Sequence, residues 1–351
     1  MEALILDKAF NAVCVIDAYE AFIWTERYNK AGDFELHVVA SEKILNDIQI
    51  DYYVYLAESD KLMIIESFNL STDPKHGNKL IISGRSLESI LDRRIIWSQT
   101  ILDGYLQGQI KKLINQNIIS PSDSNRAIPN FIFEDTTDPT IEIMMIKSQY
   151  TGDNLYEVLV SICEDFGIGF KVYLNDSNQF VFKLFNGEDR SFDQNYNNPI
   201  IFSPEFDNLL DTKYSYNKTY LKTIGLVAGE GEGSDRKTIS TGDNTITGLD
   251  RRELYVDARD LSTNDGEIDL ATYYSQLIQR GDEKLAECGS ELYFDGSMET
   301  ALSFKYGVDF NIGDIVDIEN EYGVSAKCRV IEFVRAQDKS GFSAYPSFEM
   351  L

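Results

Sequence analysis

From residue 1 to about 95, apolar and polar side chains alternate in short runs broken by turn residues. The runs Leu4–Leu6, Val13–Asp17, Ala21–Thr25, Phe34–Val39, Tyr52–Ala57, Lys61–Asn69 and Lys79–Ser83 fit a period of two and predict strands. Asn29–Asp33 and Asp73–Asn78 predict hairpin connections, because glycine reaches positive φ without steric cost and proline presets a turn. Ser86–Arg94 predicts a short helix closing a small antiparallel sheet or barrel. Between about 96 and 200 the period changes. Apolar residues in Ile101–Ile118 and Asn154–Phe170 recur at spacings of three and four, predicting two helices. Asp153 or Asn154 would cap the second of these and Gly167 would end it. Phe170–Gly187 alternates on either side of an Asn-Asp-Ser-Asn turn and predicts a hairpin. From about 201 strands return, at 209–217, 219–229, 236–240, 252–257, 313–320, 325–337 and 344–350. A helix is inserted at 271–288, with Gly281 inside it at some cost.

The expectation is an α+β, mainly β chain in three parts. Residues 1–95 form a first β-barrel, 96–200 an α+β middle and 201–351 a second β-barrel carrying the inserted helix. The length of 351 residues suits two or three domains. A content of 43% apolar and 12% aromatic residues is too rich for disorder. The formal net charge of −26 argues against phosphate-backbone binding, which runs on Lys and Arg, and against anionic membrane surfaces. Cys14, Cys163, Cys288 and Cys328 lie far apart with no C-x-x-C pair and read as reduced core residues. The start, with Glu2 and Asp7 inside its apolar stretch, matches neither a signal peptide nor a spanning segment.

Chemistry is sparse. The only histidines are His37, in an alternating strand, and His76, in a turn, so a His-dependent triad has no support and zinc ligation no spacing. Gly229–Asp235 resembles a phosphate-cradling loop but lacks the Lys-Ser/Thr of a P-loop, and Glu230 and Glu232 would repel an anion. Asp260–Leu270 has the flavour of a calcium loop. Its sixth position is Asp265 rather than Gly and its twelfth Ala271 rather than Glu, so a turn into a helix capped by Asp269 accounts for it better. No cofactor or metal is expected. Acidic residues are abundant enough that composition does not exclude a carboxylate pair for glycoside hydrolysis.

Three blocks carry a resemblance: Ala21–Val38 (AFIWTERYNKAGDFELHV), Gly229–Ser262 with GEGEGSDRKTIS and LDRRELYVDARDLS, and Phe310–Phe333. In this order they resemble the Gp37-like siphovirus tail components, related to tail-tip hub proteins. Each block also reads physically. Phe22 and Trp24 share a strand face, and Tyr28 and Phe34 flank the Gly32 turn, so the hairpin is expected to clamp itself through aromatic contacts. Gly313-Asp314 turns the chain into a strand. Arg251, Arg252 and Arg259 alternate with Glu253, Asp257 and Asp260 in a mixed-charge strand, suited either to a subunit seam or to ordinary surface salt bridging.

The resemblance implies a phage baseplate hub fold with two tail-tube-like barrels per chain and three chains in a ring of pseudo-sixfold symmetry. It implies a non-enzymatic virion protein at the tail tip, made in the host cytoplasm, that closes the tube before infection. Its neighbours would be a distal tail or tube protein, the tape-measure protein and a fibre or receptor-binding protein. A contractile particle or tail-like bacteriocin would use much the same part. The chain ends at Leu351, directly after its last expected strand, so fibre or wall-degrading activity is expected of partners. Three copies at −26 each would carry −78, and negative walls would keep passing DNA from sticking; plain solubility is the alternative use of that charge. Two other functions stay open at this stage: a tail-associated glycan or peptidoglycan hydrolase, and a host-carbohydrate-binding module acting through its tyrosines.

Overall fold

The computed structural model describes residues 1–73, 77–209, 211–297 and 304–351. His76 and part of the Asp73–Asn78 connection lie outside the described residues.

The first part builds β1 (Ala3–Leu6), β2 (Ala12–Ile16), β3 (Ala21–Arg27), β4 (Asp33–Val39), a short helix α1 (Glu42–Asp47), β5 (Tyr53–Leu56), β6 (Leu62–Asp73) and β7 (Gly77–Ser86). These follow the alternation in the sequence. In β4 the pattern of buried and exposed positions is strictly two-fold, with Phe34, Leu36 and Val38 inward. Leu87–Arg93 is a 3₁₀ turn. Ile5 from β1, Phe22 and Trp24 from β3, and Ile82 from β7 share one core, so the strands roll around it.

The middle part contains β8 (Thr100–Tyr105), α2 (Leu106–Ile114), β9 (Phe131–Glu134), α3 (Pro139–Ile143), β10 (Met145–Tyr150), α4 (Leu155–Asp165), β11 (Gly169–Leu174) and β12 (Phe180–Phe185). The expected helix over Ile101–Ile118 is corrected here: Thr100–Tyr105 is a strand and the helix starts at Leu106. The physical reason is its partner. β8 pairs with β10, Thr100 opposite Tyr150, a ladder no local window contains. The second helix runs as expected. Asn154 accepts from the Tyr156 and Glu157 N–H groups at 2.9 and 3.2 Å, and Gly167 ends it at φ +63°.

The last part adds β13 (Ile201–Phe202), β14 (Asp211–Asn217), β15 (Ile224–Ala228), β16 (Thr238–Gly242), β17 (Glu253–Asp257), α5 (Leu270–Ala286), β18 (Glu291–Ser297), β19 (Ile315–Glu319), β20 (Ser325–Asp338) and β21 (Gly341–Met350). Among the described residues β15, β16 and β17 pair only with one another, and α5 packs over them, giving a small β/α unit with its own core of Val227, Val256, Tyr273 and Leu277. Gly281 has its reason here: a Cβ would sit 2.5 Å from Val227 Cγ2 and 2.4 Å from Thr241 Cγ2, so only glycine lets the helix lie this close to the sheet.

Among the described residues, thirteen strands form one sheet, in the order β14-β18-β21-β20-β3-β4-β7-β6-β5-β1-β2, with β19 on β20 and β13 on β19. The molecule is mainly β, and no ladder closes a barrel among the described residues. The two β-rich ends of the sequence are fused edge to edge: β3 pairs antiparallel with β20, from Ala21 opposite Asp338 to Arg27 opposite Glu332. No helix is long and apolar enough to cross a membrane among the described residues. All four cysteines are free; Cys163 and Cys328 are buried as expected, whereas Cys14 and Cys288 are only partly covered.

Trp24 sits at this fusion, fully buried, with its ring 6.1 Å from Phe22 and 6.2 Å from Phe34. Trp24→Ala should lower unfolding free energy by about 3–5 kcal/mol in chemical denaturation, as large-to-small changes of buried aromatics do. Val39→Ala, on the exposed side of β4, should stay within about 0.5 kcal/mol of the parent.

Candidate functional site

The residues that bring the three parts together converge on Tyr28, the residue after β3. Its N–H donates to the Ile331 carbonyl at 2.9 Å, continuing the β3–β20 pairing. Its ring meets Phe185 edge-on at 5.3 Å, and the Arg329 guanidinium lies 5.0 Å from the ring centre. The hydroxyl lies 3.2 Å from both the Gly167 carbonyl and Asn186 Oδ1, and accepts from Arg329 Nη1 at 3.2 Å. One phenol thus touches all three parts. Burial pushes it up to about 12, so it stays protonated as a donor. Gly169 and Gly313 border the ring: a Cβ on either would come within 2.5 Å of it. Gly313 also needs φ +93°.

A second anchor is a buried charge network. Glu26 takes a hydrogen bond from Arg335 Nη1, from Ser59 Oγ at 2.8 Å and from Tyr306 Oη at 2.9 Å; Trp24 Nε1 donates to the same Ser59 Oγ at 3.2 Å. Lys61 Nζ reaches Glu88 Oε1 at 2.6 Å, and the Val172 N–H donates to the same oxygen at 3.2 Å. Both ion pairs are sealed from water, where removing one partner strands a charge at a cost of about 3–5 kcal/mol. Asp314, also buried, accepts from the N–H groups of Glu188 and Asn311 at 2.8 and 2.9 Å and from Arg190 Nε at 2.9 Å.

The residues singled out in the sequence fall in two places. Trp24, Tyr28, Gly32, Phe34, Gly313 and Asp314 lie along the fusion of the parts. Gly32 is fixed there by Ser86, whose Oγ accepts its N–H at 2.8 Å. The self-clamping hairpin is corrected in one member: Phe34 meets Trp24, but Tyr28 turns away from the hairpin to Phe185 and Arg329. Arg251, Arg252, Glu253, Asp257 and Arg259 lie together on the separate β/α unit. There Arg251 pairs with Glu253 at 2.8 Å, and Asp257 is shared by Arg236 and Arg259 at 2.6 Å each. Arg252 Nη1 donates to the Lys218 carbonyl. Glu26, Arg335, Lys61, Glu88 and Arg329 went unnoticed. The phase of β3 carried one signal, since Glu26 follows Phe22 and Trp24 at spacing two and shares their buried face. Of the rejected motifs, Glu230 is held down at about 2 by Lys237 and Thr263 against partial burial, and Asp269 caps α5 through the Ala271 and Thr272 N–H groups.

Beside Tyr28 opens a cleft of about 620 Å³, whose walls include Lys30, Glu164, Asp165, Glu283, Arg329 and Glu349. Lys30 and Glu164 bridge it at 2.6 Å. Glu283 of α5 is buried against β10 and α4. Tyr150 Oη donates to its Oε1 at 3.2 Å, and Gln279 Nε2 lies 3.2 Å from Asp165 Oδ2. Burial pushes Glu283 up to about 7; Arg280, on the same helix, opposes the shift and Asp165 adds to it. Asp165 is itself raised by burial and by Asp282. These acids hold α5 to the middle part. No group of three or more acidic, His or Cys side chains suited to a metal ion occurs among the described residues.

The sequence belongs to the Siphovirus ReqiPepy6 Gp37-like protein family, whose model matches residues 2–348. No curated protein matches it. Among solved structures, the chain is similar to the tail protein from Neisseria meningitidis MC58, at 16% identity and TM-score 0.58, over 99% of this chain and 95% of that one. It is similar to the 43 kDa tail protein of prophage MuSo2 from Shewanella oneidensis, at 13% identity and TM-score 0.59, over 99% and 98%. It is similar, too, to prophage tail protein gp18 from Listeria monocytogenes EGD-e, at 11% identity and TM-score 0.55, over 99% and 94%. At these identities the likeness is one of fold.

Two outcomes are expected. Gly313→Ala should destabilise by at least about 1–3 kcal/mol through its positive φ alone, and Tyr28→Phe by about 1 kcal/mol through the lost hydroxyl, both read by denaturant unfolding. Glu283 has a folded pKa above its unfolded value. Its contribution is therefore complete below about 4.5 and is lost as pH rises through about 7. Thermal unfolding of the parent across that window should fall relative to Glu283→Gln; parallel curves would refute the assignment.

Proposed function

We propose that this chain is the hub at the distal end of a phage-type tail, a non-enzymatic ring that closes the tube and links it to the adsorption apparatus. The observation that carries the reading is the β3–β20 fusion, in a chain matched by the family model from end to end. It sets two β-rich units side by side in one sheet, each wrapped on its own core. Two tube-like units per chain are what a threefold ring needs to meet a sixfold tube. The fold shared with three tail proteins supports the same setting.

One edge of the sheet suits assembly. β2 has β1 on one side and no strand on the other among the described residues, and Val13 and Val15 on it are 38% and 55% exposed. An unpaired, apolar edge strand favours pairing with another chain. In this reading a homotrimer meets the distal tail or tube protein on one face and the tape-measure protein within. A fibre or receptor-binding protein sits beyond. The acidic surplus lines the passage, and DNA crosses without binding.

A tag on the chain in intact particles should appear at the tail tip by immunogold microscopy, at three copies per particle by quantitative mass spectrometry. Label along the tube, or six copies, would refute the hub. Val13→Lys with Val15→Lys should leave the circular dichroism spectrum unchanged and prevent ring formation.

A further inference from the structure

The middle part carries a surface feature that the hub reading leaves unused. Trp97 is 65% exposed, one of only two tryptophans in the chain. It forms a ridge between two hollows. The first, about 360 Å³, is walled by Arg93, Arg94 and Arg126. The second, about 330 Å³, is walled by Ser98, Gln99, Gln116, Asn117 and Ser122. Arg126 borders both hollows; apart from it, the first carries Arg93, Arg94 and Asp92, and the second offers only uncharged hydroxyl and amide groups around the ring.

The chain has 58 acids and 32 bases, yet among the described residues Arg94 and Arg126 beside Trp97 are not paired with a carboxylate. Arg94 donates Nε to the Arg126 carbonyl and Nη1 to the Arg93 carbonyl, each at 2.8 Å. Arg126 donates Nη2 to the Ile95 carbonyl at 2.8 Å and to Asn117 Oδ1 at 3.2 Å, with its guanidinium carbon 4.9 Å from the Trp97 ring centre. Neither has an ion-pair partner among the described residues, and each keeps unused N–H groups of its five. The acid in the same wall, Asp92, is already taken by Arg85 at 3.0 Å and by Asn154 Nδ2 at 2.8 Å. Arg93 is paired with Asp51 at 3.0 Å. Burial and the charges of Arg126 and Arg93 lower the Arg94 pKa, as expected of cations crowded without a counter-charge.

The backbone holds this arrangement in place. After α2 the helix widens into a π-helical turn at Asn115–Ile119, a rare geometry that recurs at functional sites. Its buried Asn117 accepts from the Trp97 backbone N–H at 3.4 Å and from Arg126, and anchors its own Nδ2 on the Leu113 carbonyl at 2.9 Å. One amide thus holds both the backbone at Trp97 and the Arg126 guanidinium.

We infer that the Trp97 ridge with Arg94 and Arg126 is a binding site for an anionic glycan, a saccharide carrying a phosphate or carboxylate substituent. The flat C–H face of a sugar stacks on the exposed indole. The hydroxyls meet the amide and hydroxyl hollow, and the anion takes the free guanidinium donors. An acidic peptide would satisfy the arginines but leave the polar hollow without matching hydroxyls.

The test is built in, because Trp24 is buried and Trp97 is exposed, so a ligand-dependent change in tryptophan fluorescence reports Trp97. The full-length protein is titrated with tetragalacturonic acid, glucosamine 6-phosphate, neutral maltotetraose, hexaglutamate and inorganic phosphate. Saturable binding is expected for at least one of the two anionic sugars, at least about tenfold tighter than for maltotetraose, hexaglutamate or phosphate. Which of the two binds separates carboxylate from phosphate recognition. Arg94→Gln and Arg126→Gln should each weaken that binding about tenfold or more, Arg126→Lys less, and added salt should weaken it in the parent. By calorimetry Trp97→Ala should abolish it and Trp97→Phe retain part of it. Equal binding of hexaglutamate or phosphate overturns the assignment, as does no sugar binding up to about 10 mM. Because tail position and copy number are not measured, this outcome is independent of the hub reading.

Discussion

The constraint on which the structure depends is the close approach of three chain segments around one aromatic ring. Tyr28 closes the β3–β20 seam with its backbone and touches the middle part with its hydroxyl. That is possible only because Gly169 and Gly313 present no side chain to it. Backbone also meets backbone here: a Cβ on Gly187 would lie 1.9 Å from the Gly313 carbonyl. Interiors packed this densely are stiff, so the two β units and the middle part are held as one frame.

Electrostatics reinforces the same seam. The chain carries a large excess of acid, yet the acids it buries there, Glu26, Glu88 and Asp314, are held by Arg335, Lys61 and Arg190. Two of these pairs tie different parts together: Glu26 with Arg335 joins the first to the last, and Arg190 with Asp314 the middle to the last. Such pairs add little net stability, since desolvation offsets most of the Coulomb gain, but a mispaired register would leave charges stranded. They therefore select one way of joining the parts. The surplus acid faces solvent, or the cleft where Glu283 and Asp165 meet.

This division of labour accounts for the functional proposals. A rigid frame with an open apolar edge suits a component that works by fitting neighbours. The part around Trp97, whose strands lie outside the shared sheet, is freer to carry recognition, because its surface does not have to satisfy the seam.

Much of the architecture was legible in the sequence, because period and capping are local. Alternation marked β3, β4, β20 and β21, Asp153 or Asn154 and then Asp269 announced their helices, and the order of three blocks pointed to the family. The sequence alone also determined the charge, and with it the weak prospect of nucleic-acid binding. Local signals misled where a distant partner decided. Thr100–Tyr105 reads as helix until Met145–Tyr150 pairs with it, and Tyr28 reads as a hairpin residue until Phe185 and Arg329 arrive from other parts. Only the tertiary structure decided that the two β-rich ends share one sheet, that β15–β17 stand apart under α5, and that Arg94 and Arg126 lack counter-ions among the described residues beside Trp97. Each is a contact between residues far apart in the chain, whose energy depends on burial and distance in the folded state and leaves no periodic trace in the sequence.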